Sequence, residues 1–250
     1  MYETWNSANV QVATRYIREE LVLFSRYIFI LVAPEHDKDG HVVKKIREKG
    51  VNISLGHSTA NLKDGENAVK QGASLITHLF NAMNAFHHRD PGLVGLLTTN
   101  NLENKTVYYG IIADGVHSVQ ATLKLAYNTN YEGMCLVTDG IGALGLEDGT
   151  YTLGEQQVQV NGLKAVVVGT NTLAGAIGNM PDAVKNLHDW ADCSWVDAIH
   201  AATLHPALAL QIENSKGTLA FNADADLIML DLEEFHIKST WISGNCVHES

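Results

Sequence analysis

The chain has 250 residues, of which 46% are hydrophobic and 18% are charged. This length and composition provide a sizeable core for one barrel-sized domain and exclude a disordered chain. The formal net charge of -11 argues against nucleic acid as a partner, because no cluster of Lys and Arg offsets the acidic balance. A phosphorylated ligand would therefore need a local basic or amide-rich site.

Neither a membrane span nor a secretory signal is recognisable in the sequence. The most apolar early run, at 21–33, contains an arginine and is shorter than the roughly 20 residues that a membrane helix needs. Residues 1–19 are polar and mixed, unlike a secretory signal. The cysteines Cys135, Cys193 and Cys246 have no paired spacing, which is typical of reduced thiols inside the cell. We therefore expect a cytoplasmic protein with no membrane partner.

In chain order, short apolar runs alternate with helix-like segments. This alternation predicts βα units that form a parallel sheet, and the continuous apolar character of the runs fits strands buried on both faces. Such a sheet belongs to a (β/α)8 barrel or to an open doubly wound fold, both of which place their active sites at the carboxyl ends of the strands. Strands are predicted at 28–33, 51–55, 74–77, 107–113 and 134–138, and helices at 39–49, 60–71 and 118–128.

The pattern changes after residue 139. Residues 150–168 alternate in polarity and contain Asn161-Gly162, which predicts a β-hairpin. Helices are predicted at 179–192 and 194–211, followed by short antiparallel strands. The predicted organisation is an amphipathic helix, a βα portion with a hairpin insertion near 150–168, and a set of C-terminal strands, at 1–27, 28–212 and 213–250.

Two histidines, His57 and His78, each follow a predicted strand, one βα unit apart. Neighbouring strands lie about 4.8 Å apart, so the two imidazoles can converge on one metal ion. Zinc and similar divalent ions favour neutral histidine nitrogen together with carboxylate oxygen. The alternative interpretation is that either histidine caps a loop.

Asp139 follows an apolar strand and precedes the glycine-rich segment GIGALG. It could cap a helix, or it could act as a general base that takes a proton from the attacking water and later gives it to the leaving amine. A bound zinc lowers the pKa of water to about 7, so that an ordinary carboxylate could accept this proton.

The segment after His78 contains Asn81, Ala82 and Arg89. Backbone N–H groups at a strand-to-helix turn form an anion cradle. An arginine adds a bidentate donor for phosphate. The alternative is an ordinary polar loop with one solvated arginine.

Eight segments, taken together, resemble the N-acetylglucosamine-6-phosphate deacetylases of the amidohydrolase superfamily. They occur in the family's order and extend over nearly the whole chain from residue 28 onward. The segments are VAPE (32–35), SLGHS (54–58), THLFNAM (77–83), HHRDPG (87–92), GIIADGVHS (110–118), LVTDGIGALG (136–145), TLAG (172–175) and KGTLAFNADADLIMLD (216–231).

The resemblance implies a role for each matching residue. His57 and His78 match metal ligands, and Asp139 matches the catalytic aspartate. In the substrate site, Arg89 lies at the phosphate and His117 contacts the sugar. By the same matching, the substrate-binding residues are Asn81, Ala82, Arg89, Asp114, Gly115, Val116, His117, Leu173, Ala174 and Gly175.

The implied fold is a TIM-type (β/α)8 barrel of the metal-dependent amidohydrolase kind, with a small antiparallel β-subdomain from the C-terminal strands. The implied reaction converts N-acetylglucosamine 6-phosphate to glucosamine 6-phosphate and acetate. The implied cofactor is a divalent metal, with zinc ahead of iron, cobalt or manganese. The resemblance also implies a sugar phosphate as the ligand, a homodimer and a cytosolic location.

The sequence departs from the family's pattern in its N-terminal part. The family's HxH motif and its LEGP-type segment, whose glutamate binds the metal, do not occur. We therefore expect a partial barrel that lacks the first strands. Glu35 also ends a strand, but it matches a segment that does not hold the family's ligand. At 173–175 the family usually has LSG, so Ala174 is a small difference that backbone contacts could tolerate.

The sequence alone leaves two alternative functions open. One is another amidohydrolase, such as a dihydroorotase-like or adenine-deaminase-like enzyme; the Asn81-Ala82 pair and Arg89 argue against it, because those enzymes bind no hexosamine phosphate. The other is a non-catalytic fragment or isoform that binds a partner subunit, which the missing metal carboxylate favours.

Overall fold

A computed structural model describes residues 29–102 and 105–250. The helix predicted at 1–27 lies outside these residues. In the first part of the described chain, strands alternate with helices, as the sequence predicts. The strands are β1 (Phe29–Val32), β2 (Asn52–Leu55), β3 (Leu75–Ile76), β4 (Tyr108–Ile111) and β5 (Met134–Leu136), and the helices are α1 (His41–Glu48), α2 (Leu62–Gln71) and α3 (Gln120–Asn130).

The five strands form one sheet in the order β1-β2-β3-β4-β5, and every neighbouring pair is parallel. The predicted α/β class with a parallel sheet is confirmed. Within the described residues β1 and β5 each pair on one side only, so the sheet is open there and a closed barrel stays a prediction.

The core lies between this sheet and the helices. Ile53, Leu55 and Ile111 are fully buried, as expected for strands covered on both faces. Tyr109 is also fully buried, and its hydroxyl donates to the carbonyl of Ala126 in α3 at 2.9 Å. This bond satisfies a polar group that would otherwise destabilise the core.

The segment 149–167 forms a separate three-stranded antiparallel sheet, β6-β7-β8. The turn between its second and third strands consists of Gly162 and Leu163, because Asn161 pairs with Lys164, and Gly162 has a φ of 55°. Glycine adopts this left-handed conformation without strain, so the hairpin prediction is confirmed. The strands are β6 (Gly149–Leu153), β7 (Gln156–Asn161) and β8 (Lys164–Val167).

The single helix predicted at 194–211 is wrong, because the structure has two helices there. They are separated at Thr203, whose φ of -133° and ψ of -75° are not helical. Pro206 explains the break, since in a continuous helix its ring would clash with the carbonyl of Ala202 and its nitrogen could not donate. The helices of this part are α4 (Met180–Ala191), α5 (Trp195–Ala202) and α6 (Leu204–Leu210).

The C-terminal strands form a third sheet, in the order β11-β10-β9, and they are antiparallel as predicted. None of the helices in the described ranges is both long and apolar enough to cross a membrane. The strands are β9 (Leu227–Asp231), β10 (His236–Ile242) and β11 (Asn245–Glu249).

Candidate active site

The two candidate histidines lie at the carboxyl ends of neighbouring strands, His57 after β2 and His78 after β3. Their Nε2 atoms are 2.9 Å apart, and their ring centroids are 4.7 Å apart. His78 is buried, with 6% exposure, whereas His57 is more exposed. The parallel register thus brings together two residues that are separated by a whole βα unit in sequence.

Several non-glycine residues at these strand ends have a left-handed backbone. The φ angles are 46° at His57, 28° at His78 and 53° at Asp139, and Phe80 and Ala82 in the turn after β3 are also positive. Such conformations cost energy and persist where surrounding contacts enforce them, which is typical of functional sites.

The electrostatic environment favours the neutral form of His57. Burial lowers the pKa of His57 below its usual value, and the neighbouring His78 ring lowers it further, while the Asp139 carboxylate acts in the opposite direction. Asp139, after β5, is therefore close enough to interact electrostatically with His57. The neutral imidazole is the form that binds a metal ion.

The turn after β3 packs against the loop that follows His57. The backbone N–H of Ser58 donates to the carbonyl of Ala82 at 3.0 Å, and the N–H of Asn81 donates to the carbonyl of His78 at 2.9 Å. The Asn81 side chain donates to the Leu79 carbonyl at 3.2 Å. Asn81 and Ala82 are therefore placed beside the two histidines.

Arg89 lies on an exposed loop beyond this turn. Its guanidinium approaches the His88 ring at 3.5 Å. Asp90 fixes the loop, because its Oδ1 accepts from the N–H of Leu62 at 3.0 Å and from that of Gly92 at 3.2 Å. The guanidinium is thus presented to solvent from an anchored loop.

The turn after β4 is organised by Asp114. Its Oδ1 accepts from the N–H groups of Val116 and His117, both at 2.8 Å, and its Oδ2 lies 2.7 Å from His117 Nδ1. Burial alone would raise the pKa of Asp114, but hydrogen bonds from His117 and Val116 hold it below its usual value. Gly115, with a φ of 77°, supplies the left-handed residue of this turn.

The segment 173–176 joins the Asp139 turn to the β6-β7-β8 sheet. The N–H of Ala174 donates to the carbonyl of Ala165 in β8, and the N–H of Ala176 donates to the carbonyl of Asp139, both at 2.9 Å. Leu173 forms an isolated antiparallel bridge with Val166 of β8. The backbone of this segment therefore supports the turn that presents Asp139.

The sequence model of the Amidohydrolase family matches residues 40–247. This chain belongs to the amidohydrolase family. It is 48% identical over 222 residues to the human protein named N-acetylglucosamine-6-phosphate deacetylase, a match that covers 88% of this chain and 54% of the human one. The resemblance found in the sequence is confirmed.

Solved structures agree with this assignment. The N-acetylglucosamine-6-phosphate deacetylase of Thermotoga maritima matches with a TM-score of 0.80 and 31% identity, covering 89% of this chain and 59% of that one. A mutant deacetylase from Mycobacterium smegmatis, solved in complex with N-acetyl-D-glucosamine-6-phosphate, also has a TM-score of 0.80 and 31% identity, over 88% of this chain and 57% of that one. This amidohydrolase spans about half the length of the curated relatives it matches.

The family is metal-dependent, and the two histidines of this amidohydrolase fit part of a metal site. Their converging Nε2 atoms can both reach one ion at the usual Zn–N distance of about 2.0–2.1 Å. His78 Nδ1 is buried without a hydrogen-bond partner in the described structure. However, no group of three or more His, Cys, Asp or Glu that could hold a metal occurs in residues 29–102 and 105–250. Within the described residues, this arrangement offers two histidine nitrogens and no third His, Cys, Asp or Glu side chain beside them to complete a metal site.

Glu35 has a role that the sequence did not reveal. Its Oε2 accepts from the Ser58 hydroxyl at 2.6 Å, and its Oε1 accepts from the Thr59 N–H at 2.7 Å. Burial would raise the pKa of Glu35, but hydrogen bonds from Ser58 and Thr59 lower it below its usual value. The carboxylate thus fixes the loop directly after His57. The sequence did not predict this contact, because Glu35 is more than 20 residues from Ser58 and Thr59 and no local pattern marks it.

Proposed function

We propose that this amidohydrolase hydrolyses the N-acetyl group of N-acetylglucosamine 6-phosphate, giving glucosamine 6-phosphate and acetate. The convergence of His57 and His78, with Asp139 at the carboxyl end of another strand of the same sheet, is the observation that supports it most. The similarity to named deacetylases supports the same substrate class. The shared name of these relatives favours neither another amidohydrolase nor a non-catalytic fragment.

In this proposal, Asp139 carries out the proton transfers. Its carboxylate accepts a proton from the attacking water and returns it to the amine nitrogen of the leaving sugar. His57 and His78 would hold the divalent metal, and a metal bound there would polarise the amide carbonyl and lower the pKa of water.

The remaining candidate residues bind the substrate. Arg89 donates to the phosphate, where a guanidinium can form two parallel charge-assisted hydrogen bonds. His117, within the 114–117 turn, contacts the sugar. The segment 173–175 covers the substrate with its backbone, and the hydrogen bond from the adjacent Ala176 to the Asp139 carbonyl supports this placement. The backbone of Asn81 and Ala82 adds donors beside the histidines.

We also propose the metal, the complete fold, the location and the oligomeric state that the family resemblance implies. Zinc is the proposed metal, with iron, cobalt and manganese as alternatives. The βα portion at 28–212 forms part of a closed TIM-type barrel, and residues 213–250 contribute strands to a small β-subdomain. The protein is proposed to be a cytoplasmic homodimer. Sedimentation of the purified protein tests the dimer.

The experiment is a measurement of acetate released from N-acetylglucosamine 6-phosphate by the purified, zinc-supplemented chain. We expect acetate and glucosamine 6-phosphate in equal amounts, and much slower release from N-acetylglucosamine without phosphate. A double variant, His57→Ala with His78→Ala, purified in the same way, controls for a contaminating deacetylase. Acetate release that is absent from the parent chain, or equal in parent and double variant, would contradict the proposal.

A further inference from the structure

The side chain of Asp114 uses its acceptors inside its own turn. Its Oδ1 accepts from two backbone N–H groups at 2.8 Å, and its Oδ2 lies 2.7 Å from His117 Nδ1. Both side chains are only 6% exposed. The family resemblance places the whole 114–117 segment at the sugar, but these contacts direct the Asp114 carboxylate to His117.

The chemistry of this pair fixes the position of a proton. An ionised carboxylate can only accept hydrogen bonds, so the proton in the short contact belongs to His117 Nδ1. In a neutral imidazole the other nitrogen is then an acceptor. Asp114 thereby selects one of the two neutral tautomers of His117.

The other ring nitrogen is available to a ligand. Within residues 29–102 and 105–250, His117 Nε2 has no hydrogen-bond partner. It is also not among the fully buried polar atoms that lack a partner there, a set that includes His78 Nδ1. His117 Nε2 is therefore not completely enclosed by the protein. A ring that is fixed through Nδ1 and accessible through Nε2 is oriented to receive a hydrogen bond from outside the protein.

Two other histidines show that this arrangement is not general in the chain. His188 Nδ1 lies 2.7 Å from the Cys193 carbonyl, and His205 Nδ1 lies 2.8 Å from the Met134 carbonyl. Both rings are thus held by backbone groups that stabilise the fold. His117 is held by a carboxylate at the carboxyl end of a strand, where parallel α/β folds bind their ligands.

We propose that Asp114 is a positioning residue that holds His117 in the Nδ1–H tautomer, so that His117 Nε2 accepts a hydrogen bond from a hydroxyl group of the bound sugar. The identity of the ligand rests on the proposed function. The tautomer is a property of the chain alone and is measured without a ligand.

The substitution Asp114→Asn tests the tautomer directly. Its amide oxygen still accepts from the two backbone N–H groups, but its NH₂ group replaces Oδ2 and can only donate. The His117 Nδ1 must then accept, and the ring proton moves to Nε2. Asp39→Asn is the matched control, because Asp39 is exposed and lies away from this turn.

The measurement is the ¹⁵N chemical shift of both ring nitrogens, recorded by NMR at a pH where the imidazole is neutral. The variant His117→Gln identifies the His117 signals among those of the 12 histidines. We expect a protonated Nδ1 and an unprotonated Nε2 in the parent chain and in Asp39→Asn, and the reverse in Asp114→Asn. A protonated Nε2 in the parent chain, or an unchanged ring in Asp114→Asn, would overturn the positioning role.

A titration with N-acetylglucosamine 6-phosphate tests the sugar contact. It is carried out in the Asp139→Asn background, so that turnover does not consume the ligand. Hydrogen bonding from a sugar hydroxyl should shift the Nε2 resonance, and adding Asp114→Asn should weaken binding by about 10-fold or more. An Nε2 resonance that does not move as the ligand saturates, or a ligand that does not bind, would overturn the sugar contact. An absence of acetate release together with the predicted tautomer would overturn the proposed function alone.

Discussion

Three residues with unfavourable backbone conformations, His57, His78 and Asp139, lie at the carboxyl ends of three strands of one parallel sheet. Their positions directly after apolar runs made them predictable as candidates, because parallel strands present such residues at one edge. Their left-handed conformations were not predictable, since they depend on contacts with the loops of neighbouring strands. The contact between Asp114 and the ring of His117 was not predictable either, because both residues stood as candidates for the substrate.

Replacing the proposed base tests Asp139. Asp139→Asn has the same shape and cannot accept a proton, so we expect acetate release to fall by about 100-fold to 10,000-fold. Zinc content should not change, because His57 and His78 remain. Activity within twofold of the parent chain, measured as kcat with N-acetylglucosamine 6-phosphate, would refute the assignment.

The phosphate contact is tested by Arg89→Ala. Loss of charge-assisted hydrogen bonds worth about 1.5–3 kcal/mol should raise the KM for N-acetylglucosamine 6-phosphate by about 10-fold to 100-fold. Lys124→Ala removes an exposed positive charge from α3 and controls for the change in net charge. An equal rise in KM in both variants would show that Arg89 has no specific role.

At the scale of elements, the loops that follow the strands are fixed by contacts between residues distant in sequence. Glu35 holds the loop after β2, and the 173–176 segment supports the turn after β5 through Ala176. Alternation and apolar runs predicted the five parallel strands, because periodicity is a local property. They failed at 194–211, where Pro206 divides one periodic pattern into two helices.

The loop after β2 should lose stability when Glu35 is neutralised. The pKa of Glu35 is lowered in the folded chain from its usual 4.5, so its contribution is present above about pH 4.5 and is lost as the pH falls through the folded pKa. Glu35→Gln should therefore lower the free energy of unfolding by about 1–2 kcal/mol at neutral pH.

Urea unfolding at several pH values measures this effect. The difference between Glu35→Gln and the parent chain should shrink as the pH falls below about 4.5. Glu48→Gln, at an exposed position on α1, should show little difference at any pH. A Glu35→Gln effect that grows toward acid pH would contradict the role assigned to the ionised carboxylate.

Gly175 is needed where the 173–175 segment meets the Asp139 turn. It has a φ of 116°, and an added Cβ would lie 2.6 Å from Ile141 Cγ2 and 3.2 Å from the Asp139 carbonyl. Gly169 also has a positive φ, 79°, but an added Cβ there would meet nothing within 4 Å. A comparison of alanine substitutions at Gly175 and Gly169 therefore separates the effect of crowding on stability from the effect of backbone strain.

Alanine at either glycine should destabilise the fold by about 1–2 kcal/mol through the left-handed backbone. Gly175→Ala should lose about 1–3 kcal/mol more through overpacking, and its acetate release should fall because the Asp139 turn moves. Urea unfolding of the two variants makes the comparison. Equal losses of stability and activity would contradict the supporting role of Gly175.

At the scale of the whole molecule, the described chain consists of one open parallel sheet with its helices and two small antiparallel sheets. The chain matches about half the length of the curated relatives, and a closed barrel stays a prediction. The sequence could predict which family the residues belong to, because the eight motifs recur in order. It could not predict the geometry of the histidine pair, because that depends on the register of β2 and β3.

Equilibrium dialysis of the purified chain against zinc tests most directly whether His57 and His78 bind one divalent metal ion. We expect about one zinc per chain, retained when the exposed His41 is replaced by alanine. His57→Ala and His78→Ala should each lose this zinc while remaining folded by circular dichroism. A parent chain that binds no zinc, or folded variants that bind as much zinc as the parent, would contradict the account.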